Sequence, residues 1–87
     1  GVVEHARSIA GVRLALLFRE IAGGRIKVSL RSVGDVDVAA FARRYGGGGH
    51  TKAAGVALDG SLAEVQSRFL HEVRTWLASG AGAGAAR

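Results

Sequence analysis

The stretch Arg25-Ile26-Lys27-Val28-Ser29-Leu30-Arg31 decides the fold, because its residues alternate between polar and apolar types. Successive side chains on a β-strand point to opposite faces, so the alternation predicts a strand with one face toward a core. The other face carries three cations and a hydroxyl, a line of groups that can follow a phosphodiester backbone. Arg25, Lys27 and Ser29 are candidate phosphate contacts, although an ordinary solvated strand face accounts for Arg25 and Lys27 equally well.

Arg31 ends this strand just before a turn, which is a usual location for functional residues. We therefore favour a substrate-binding role for its guanidinium, which can pair with a phosphate through two parallel hydrogen bonds.

The residues upstream predict a second strand that pairs with the first through a turn. Residues 12–19 are apolar on both faces and too short for a typical helix, which favours a buried central strand. Ala22-Gly23-Gly24 supplies the conformations of a hairpin turn. Residues 1–10 place apolar side chains at helical spacing before Gly11, so we expect the end of a short helix there.

A helix is predicted downstream, and a glycine run follows it. Asp37 is suited to cap its N-terminus, and Val36 can then pack against Phe41 one turn later. Tyr45 continues the apolar stripe of this helix, and Gly46 is suited to end it.

The run continues as Gly47-Gly48-Gly49-His50-Thr51-Lys52-Ala53-Ala54-Gly55. Glycines leave the backbone bare, so a phosphate or a sugar can approach the amide groups of Gly47, Gly48 and Gly49 closely. An imidazole and an ammonium follow at His50 and Lys52. We interpret this stretch as a loop that binds a phosphate or a nucleotide, and a flexible surface loop is the alternative.

The last third of the chain predicts a strand over 55–58 and a long helix. Ser61 and Glu64 form a capping box, and apolar residues recur at helical spacing up to Leu77. That spacing assigns Trp76 to the core rather than to base stacking. The fold class is therefore α/β, a small mixed sheet of three or more strands packed by helices. We expect one domain over 1–78 and a disordered tail over 79–87.

Composition narrows the class of protein. The chain has 87 residues, 48% of them hydrophobic, with no cysteine, no proline and a net charge of +5. Such a chain forms one modest core, has no disulfide or thiolate metal site, and favours anionic partners. Ten of its twelve cations are arginines, which suits bidentate recognition of phosphate. We expect a cytoplasmic protein without a membrane partner.

Several kinds of catalytic site are not supported by the spacing of residues. The glycine run follows a helix, whereas a Walker A loop follows a strand and ends in Gly-Lys-Ser or Gly-Lys-Thr. His5, His50 and His71 lie far apart without acidic neighbours, so no metal site is predicted. The chain can hold an anion but has no evident means of activating water.

Three segments resemble the C-terminal accessory domain of DHH-type phosphoesterases. They are Lys27-Val28-Ser29-Leu30-Arg31-Ser32, Gly34-Asp35-Val36-Asp37-Val38, and the GGGGHTKAAG of residues 46–55. The likeness covers residues 12–60. Within the family, these residues most resemble the bacterial nanoRNases that also act as phosphoadenosine-phosphate phosphatases. RecJ-type exonucleases and cyclic-dinucleotide phosphodiesterases are relatives.

The resemblance implies a two-domain hydrolase that cleaves short oligoribonucleotides or small nucleotide phosphates. An N-terminal domain of the same chain would carry the Asp-His-His motif and two divalent metals, usually manganese, that activate water. The accessory domain would bind the single-stranded oligonucleotide or nucleotide phosphate through Gly47, Gly48, Gly49, His50, Lys52 and Arg31. It would have no catalytic or metal-binding residue of its own, so the chain alone should be inactive.

Two alternatives remain open at the level of sequence. One is a non-catalytic nucleic-acid-binding module, similar to the accessory domains of RecJ or of alanyl-tRNA synthetases, which would bind through Arg25 and Lys27 without His50. The other is a dimerisation domain whose glycines permit close packing, so a homodimer is also considered.

Overall fold

A computed structural model describes residues 2–9, 12–34 and 36–79 of the chain. Five strands form one sheet, and two helices pack on it. The strands are β1 (Val2–Ile9), β2 (Val12–Ile21), β3 (Arg25–Val33), β4 (Gly48–His50) and β5 (Ala53–Asp59), in the order β1-β2-β3-β5-β4. The helices are α1 (Val38–Arg43) and α2 (Leu62–Ala78). The predicted class, a small sheet packed by helices, is confirmed.

The alternation of β3 divides the sheet into two faces, as predicted. Ile26, Val28 and Leu30 are buried, and Arg25, Lys27 and Arg31 are exposed. The buried face packs against both helices, which together form the helix layer. The core residues shared by the sheet and the helix layer include Leu16, Phe18, Val56, Phe41, Phe69 and Trp76. Trp76 is 6% exposed, which confirms its assignment to the core.

The caps that the sequence predicts are present at both helices. The Asp37 side chain accepts a hydrogen bond from the Ala40 amide at the start of α1. Ser61 and Glu64 form the reciprocal capping box at the start of α2. Gly46 follows α1 with a φ of 85°, a value that favours glycine over other residues. Both helices therefore begin where local sequence signals place them.

Two groups of the helix layer, Tyr45 and Glu64, have pKa values that depart clearly from their usual values. The Tyr45 hydroxyl donates a 2.7 Å hydrogen bond to Glu72 of α2. Burial, reinforced by this hydrogen bond, raises the pKa of Tyr45 to about 12. The hydrogen bond from the Ser61 backbone lowers the pKa of Glu64. Both groups stabilise the helix layer, on the far side of the sheet from the face described below.

Three sequence predictions about the strands need correction. Residues 2–9 form strand β1 rather than the end of a helix, because they pair along their whole length with β2. The four described strand pairs are all antiparallel, whereas a mixed sheet was expected. β2 is central as predicted but buries one face, and Leu17 on its other face is 37% exposed. The predictions for Gly11 and for residues 80–87 lie outside the described residues.

Candidate substrate-binding face

The sheet face opposite the helix layer, called the open face here, carries most of the predicted binding residues. The registers place on it the odd-numbered residues of β2, β3 and β5, together with Gly48 and His50 of β4. A depression of about 270 Å³ lies on this face. It is lined by Lys27, Ser29 and Arg31 of β3, by the small residues 53–55 of β5, and by Gly48 and Gly49 of β4.

Strand register brings His50 and Arg31 to two sides of one small residue. His50 pairs with Ala53 across the β4–β5 hairpin, and Ala53 pairs with Arg31 across β5 and β3. Neighbouring strands lie about 4.8 Å apart, so the two backbones are separated by about 10 Å with only a methyl group between them. Both side chains are exposed. His50 stands at the border of the depression rather than among its lining residues.

The glycine run packs against β5 more closely than the sequence indicates. A Cβ on Gly47 would meet the Gly55 carbonyl oxygen at 2.2 Å, and one on Gly49 would meet the Ala53 carbonyl oxygen at 2.6 Å. Only glycine permits this approach of one backbone to another. A Cβ on Gly48, in contrast, would meet nothing within 4 Å. Two of the three candidate glycines therefore have a steric reason to be glycine, and Gly48 is the one that adjoins open space.

The amides of the glycine run are not equally available to a ligand. The Gly47 amide donates a 2.9 Å hydrogen bond to the Ala42 carbonyl, and the Gly46 amide donates to Arg43. Gly48 and Gly49 belong to β4, an edge strand of the described sheet, where alternate amides face away from the neighbouring strand. A backbone contact to an anion is therefore better placed at Gly48 or Gly49 than at Gly47.

Lys52 is held within the fold by the loop that follows Arg31. Its ammonium group donates a hydrogen bond to the Gly34 carbonyl, and its own carbonyl accepts one from the Ser32 amide at 3.1 Å. The neighbouring Thr51 carbonyl accepts from the Val38 amide at 2.9 Å. These contacts anchor the β4–β5 turn beside Arg31. Lys52 thus orients the hairpin that carries His50, and its ammonium does not line the depression.

Arg25 and Lys27 differ in how far their charges are compensated. The Arg25 guanidinium lies 3.3 Å from an Asp59 oxygen and donates a 3.2 Å hydrogen bond to the Ala57 carbonyl. Its charge is therefore partly compensated within the domain. Lys27 has no ion pair among the described residues, and it lies over Gly55 and next to Ser29 in the depression. Of these two candidates, Lys27 is the better placed to meet an anion.

Sequence reasoning missed two residues of β2 on the open face, Leu17 and Arg19. Leu17 pairs with Ser29, and Arg19 pairs with Lys27. A second depression of about 140 Å³ is lined by Ala15, Leu16, Leu17, Ser29 and Arg31. The signal was present, because a hairpin centred on Gly23 brings residues equally far from it into register. The prediction that residues 12–19 are buried on both faces left no exposed side chain of β2 to consider for the site.

The open face offers groups that can bind an anion. The exposed cations Arg19, Lys27 and Arg31 and the imidazole of His50 surround a floor of glycine and alanine, which suits a phosphate group and the sugar attached to it. Within residues 2–9, 12–34 and 36–79, no three His, Cys, Asp or Glu side chains cluster as a metal site would require. No helix in those ranges is long and apolar enough to cross a membrane.

Comparison with known proteins gives one family. The family model described as DHHA1 domain matches residues 1–79. No curated protein matches the chain. The match covers both helices and all five strands, so it includes every residue of the open face.

Proposed function

The chain belongs to the DHHA1 domain family, and we propose that it is the substrate-binding domain of a phosphoesterase that hydrolyses short oligoribonucleotides or small nucleotide phosphates. DHHA1 is an accessory domain of DHH-family phosphoesterases, which supports a role in binding. In this proposal the open face receives the terminal nucleotide. Arg31 pairs with a phosphate of that nucleotide, and His50 donates a hydrogen bond to the phosphate that is cleaved.

The observation that carries the proposal is the row formed by His50, Ala53 and Arg31. The side chains of His50 and Arg31 can both donate hydrogen bonds to phosphate, and the backbones that carry them lie about 10 Å apart on the two sides of Ala53. A larger residue at position 53 would occupy the space that a phosphate needs. The turn at Thr51 and Lys52 fixes the spacing, because it is hydrogen-bonded to the segment that follows Arg31.

The proposal divides the work between two domains. In this proposal the two divalent metals, with manganese as the expected ion, are held by a DHH domain of the same protein. What this chain supplies is orientation: charge-assisted hydrogen bonds hold the substrate, each contributing about 1.5–3 kcal/mol. Docking of the open face against the DHH domain would also exclude bulk water from the bound phosphate.

Substitution of His50 and Arg31 tests the proposal in a protein that joins this chain to its DHH domain. We expect His50→Ala and Arg31→Ala each to lower turnover of a short oligoribonucleotide about 10- to 100-fold, since each removes a charge-assisted contact. Arg43→Ala is the matched control, because Arg43 is exposed on the helix layer. Circular dichroism would show whether each variant remains folded. Wild-type rates in both His50→Ala and Arg31→Ala would contradict the proposal.

A nucleic-acid-binding module without a catalytic partner is the second candidate, and the exposed Lys27 favours it. Such a module would bind single strands by charge alone, so its affinity would fall steeply with salt and would not depend on His50. Arg25 contributes less than the sequence indicated, because Asp59 compensates its charge. Unchanged binding by His50→Ala, together with loss of binding by Lys27→Ala, would favour this second candidate.

A further inference from the structure

Arg19 and Lys27 stand directly opposite each other on the open face. The register of β2 and β3 pairs them, and both side chains are exposed. Like charges directly opposite on antiparallel strands destabilise a sheet. The pair therefore costs stability in the isolated domain, and an anion bound between the two cations would remove that cost.

The residues directly across from the pair carry no charge. Among the side chains that the structure describes, in residues 14–34 and 36–79, neither cation has an ion pair. On the β5 side Lys27 faces Ala57, and on the β1 side Arg19 faces Val2. Glu4 of β1 stands opposite Leu17, so its backbone position is diagonal to Arg19 and not directly across from it. The nearest compensated cation on this face is Arg25, which Asp59 already pairs.

The pair lies at a distance from Arg31 that a polynucleotide can span. Lys27 precedes Arg31 by four residues on β3, so the two positions are about 13 Å apart along the strand. Between them lies the row of Ser29 and Leu17, which borders the second depression. Leu17 is 37% exposed there and offers an apolar contact of the kind a base or a ribose can use. Along the face, the cations Arg19 and Lys27 are thus followed by the apolar side chain of Leu17 and then by the guanidinium of Arg31.

We propose that Arg19 and Lys27 form a second phosphate subsite, which takes an internal phosphodiester of a single-stranded oligonucleotide whose end lies between His50 and Arg31. The inference rests on the proposed function and adds to it a reason for preferring oligonucleotides over mononucleotides. The ligand chemistry follows from charge complementarity, because Arg19, Lys27 and Arg31 share one face of the sheet and have no ion pair with the side chains described in residues 14–34 and 36–79.

The affinities of the 87-residue chain for two ligands test the subsite. The ligands are adenosine monophosphate and a penta-adenylate, and each affinity is measured by calorimetric titration. The wild type should bind the pentanucleotide more tightly. The double variant Arg19→Gln/Lys27→Gln should lose most of the gain in affinity with ligand length, and its affinity for the mononucleotide should fall by a smaller factor than its affinity for the pentanucleotide. Its slope of log affinity against log salt for the pentanucleotide should become shallower by about 0.7, since the subsite takes one phosphate and each phosphate contact on a single strand contributes about 0.7.

Three controls isolate the contribution of the subsite. The variant Arg43→Gln/Arg74→Gln removes the same charge from the helix layer and should bind both ligands almost as the wild type does. The thermal midpoint of Arg19→Gln/Lys27→Gln should be unchanged or raised, because a repulsive pair has been removed. A penta-glutamate peptide should bind much more weakly than the pentanucleotide.

Three results would overturn the subsite: equal wild-type affinity for the two ligands, unaltered pentanucleotide binding by the double variant, or peptide binding as tight as that of the pentanucleotide. The last would assign the face to an acidic protein surface. Failure of the proposed function gives a different pattern, in which His50→Ala and Arg31→Ala bind both ligands as the wild type does.

Discussion

Gly48 and Gly49 are neighbours in the glycine run, but the structure gives them different surroundings. Gly49 has a φ of 144°, and a Cβ there would meet the backbone of Ala53 and Ala54, so a side chain meets both a steric and a conformational penalty. Gly48 has open space where its Cβ would be, and it lines the depression on the open face. Glycine at position 49 therefore serves the fold, whereas glycine at position 48 leaves open the depression in which we propose that the ligand binds.

Alanine substitution at these two positions should separate stability from binding. Gly49→Ala should lower the free energy of unfolding by about 1–3 kcal/mol, because the new methyl group would overlap the Ala53 carbonyl. Gly48→Ala should change it by no more than about 0.5 kcal/mol, as is usual for a surface position. Urea unfolding measures the first effect. Adenosine monophosphate binding should weaken in Gly48→Ala, and similar losses of stability in both variants would contradict this assignment.

At the scale of the element, local signals predicted the helices and the central hairpin. Asp37 identified the start of α1, and Ser61 with Glu64 identified the start of α2, because a capping contact spans only three residues. The alternation within β3 is likewise recognisable from the seven residues Arg25 to Arg31 alone. These features are encoded locally, so the sequence is sufficient for them.

Features that depend on pairing between distant residues could not be predicted in the same way. Residues 2–9 have apolar residues at helical spacing, yet they form β1 because β2 offers a complete set of partners. The row of His50, Ala53 and Arg31 likewise requires the registers of two strand pairs. The residue types of the candidate site were therefore predictable. Their grouping on one face was not, and neither was the position of Lys52, whose ammonium binds Gly34 and does not line the depression.

The contact between Tyr45 and Glu72 predicts how the helix layer responds to alkaline pH. The pKa of Tyr45 is raised in the folded state to about 12 from 10.0, so folding favours the protonated phenol. The unfolded chain releases this proton at lower pH, and the contribution to stability is complete below pH 10 and lost as pH rises toward 12. Urea unfolding of the wild type should show this decline.

Tyr45→Phe provides the control for that decline, because phenylalanine keeps the ring and removes the titrating group. The variant should be less stable at neutral pH by about 1 kcal/mol, since the Glu72 carboxylate loses its hydrogen-bond donor. Between pH 10 and pH 12 its stability should fall less steeply than that of the wild type. Parallel declines would mean that other groups, such as lysines, account for the alkaline transition.

At the scale of the whole molecule, charge is distributed unevenly between the two layers. Four carboxylates are engaged at caps and contacts: Asp37 and Glu64 cap helices, Glu72 binds Tyr45, and Asp59 pairs with Arg25. The exposed cations Arg19, Lys27 and Arg31 on the open face have no such partners among the described residues. A positive field therefore remains on the face that lacks helices, and this field should steer an anionic ligand toward it.

The size of the molecule makes this steering depend on ionic strength in a testable way. Its two shorter dimensions are 20 and 18 Å, whereas the Debye length is about 10 Å at 0.1 M salt and about 30 Å at 0.01 M. Charges on the helix layer are therefore screened from a ligand approaching the open face at the higher salt concentration but not at the lower one. Lys27→Glu and Arg74→Glu each reduce the net charge by two, from +5 to +3.

Association rates of a fluorescent pentanucleotide, measured by stopped flow, should thus distinguish the two variants. At about 0.01 M salt both should associate more slowly than the wild type, because the whole charge of the molecule acts on the ligand. At about 0.1 M salt Arg74→Glu should recover the wild-type rate, whereas Lys27→Glu should remain slower, since its substitution lies on the path of the ligand. Equal slowing by both variants at the higher salt concentration would mean that net charge, rather than its position on the open face, governs encounter.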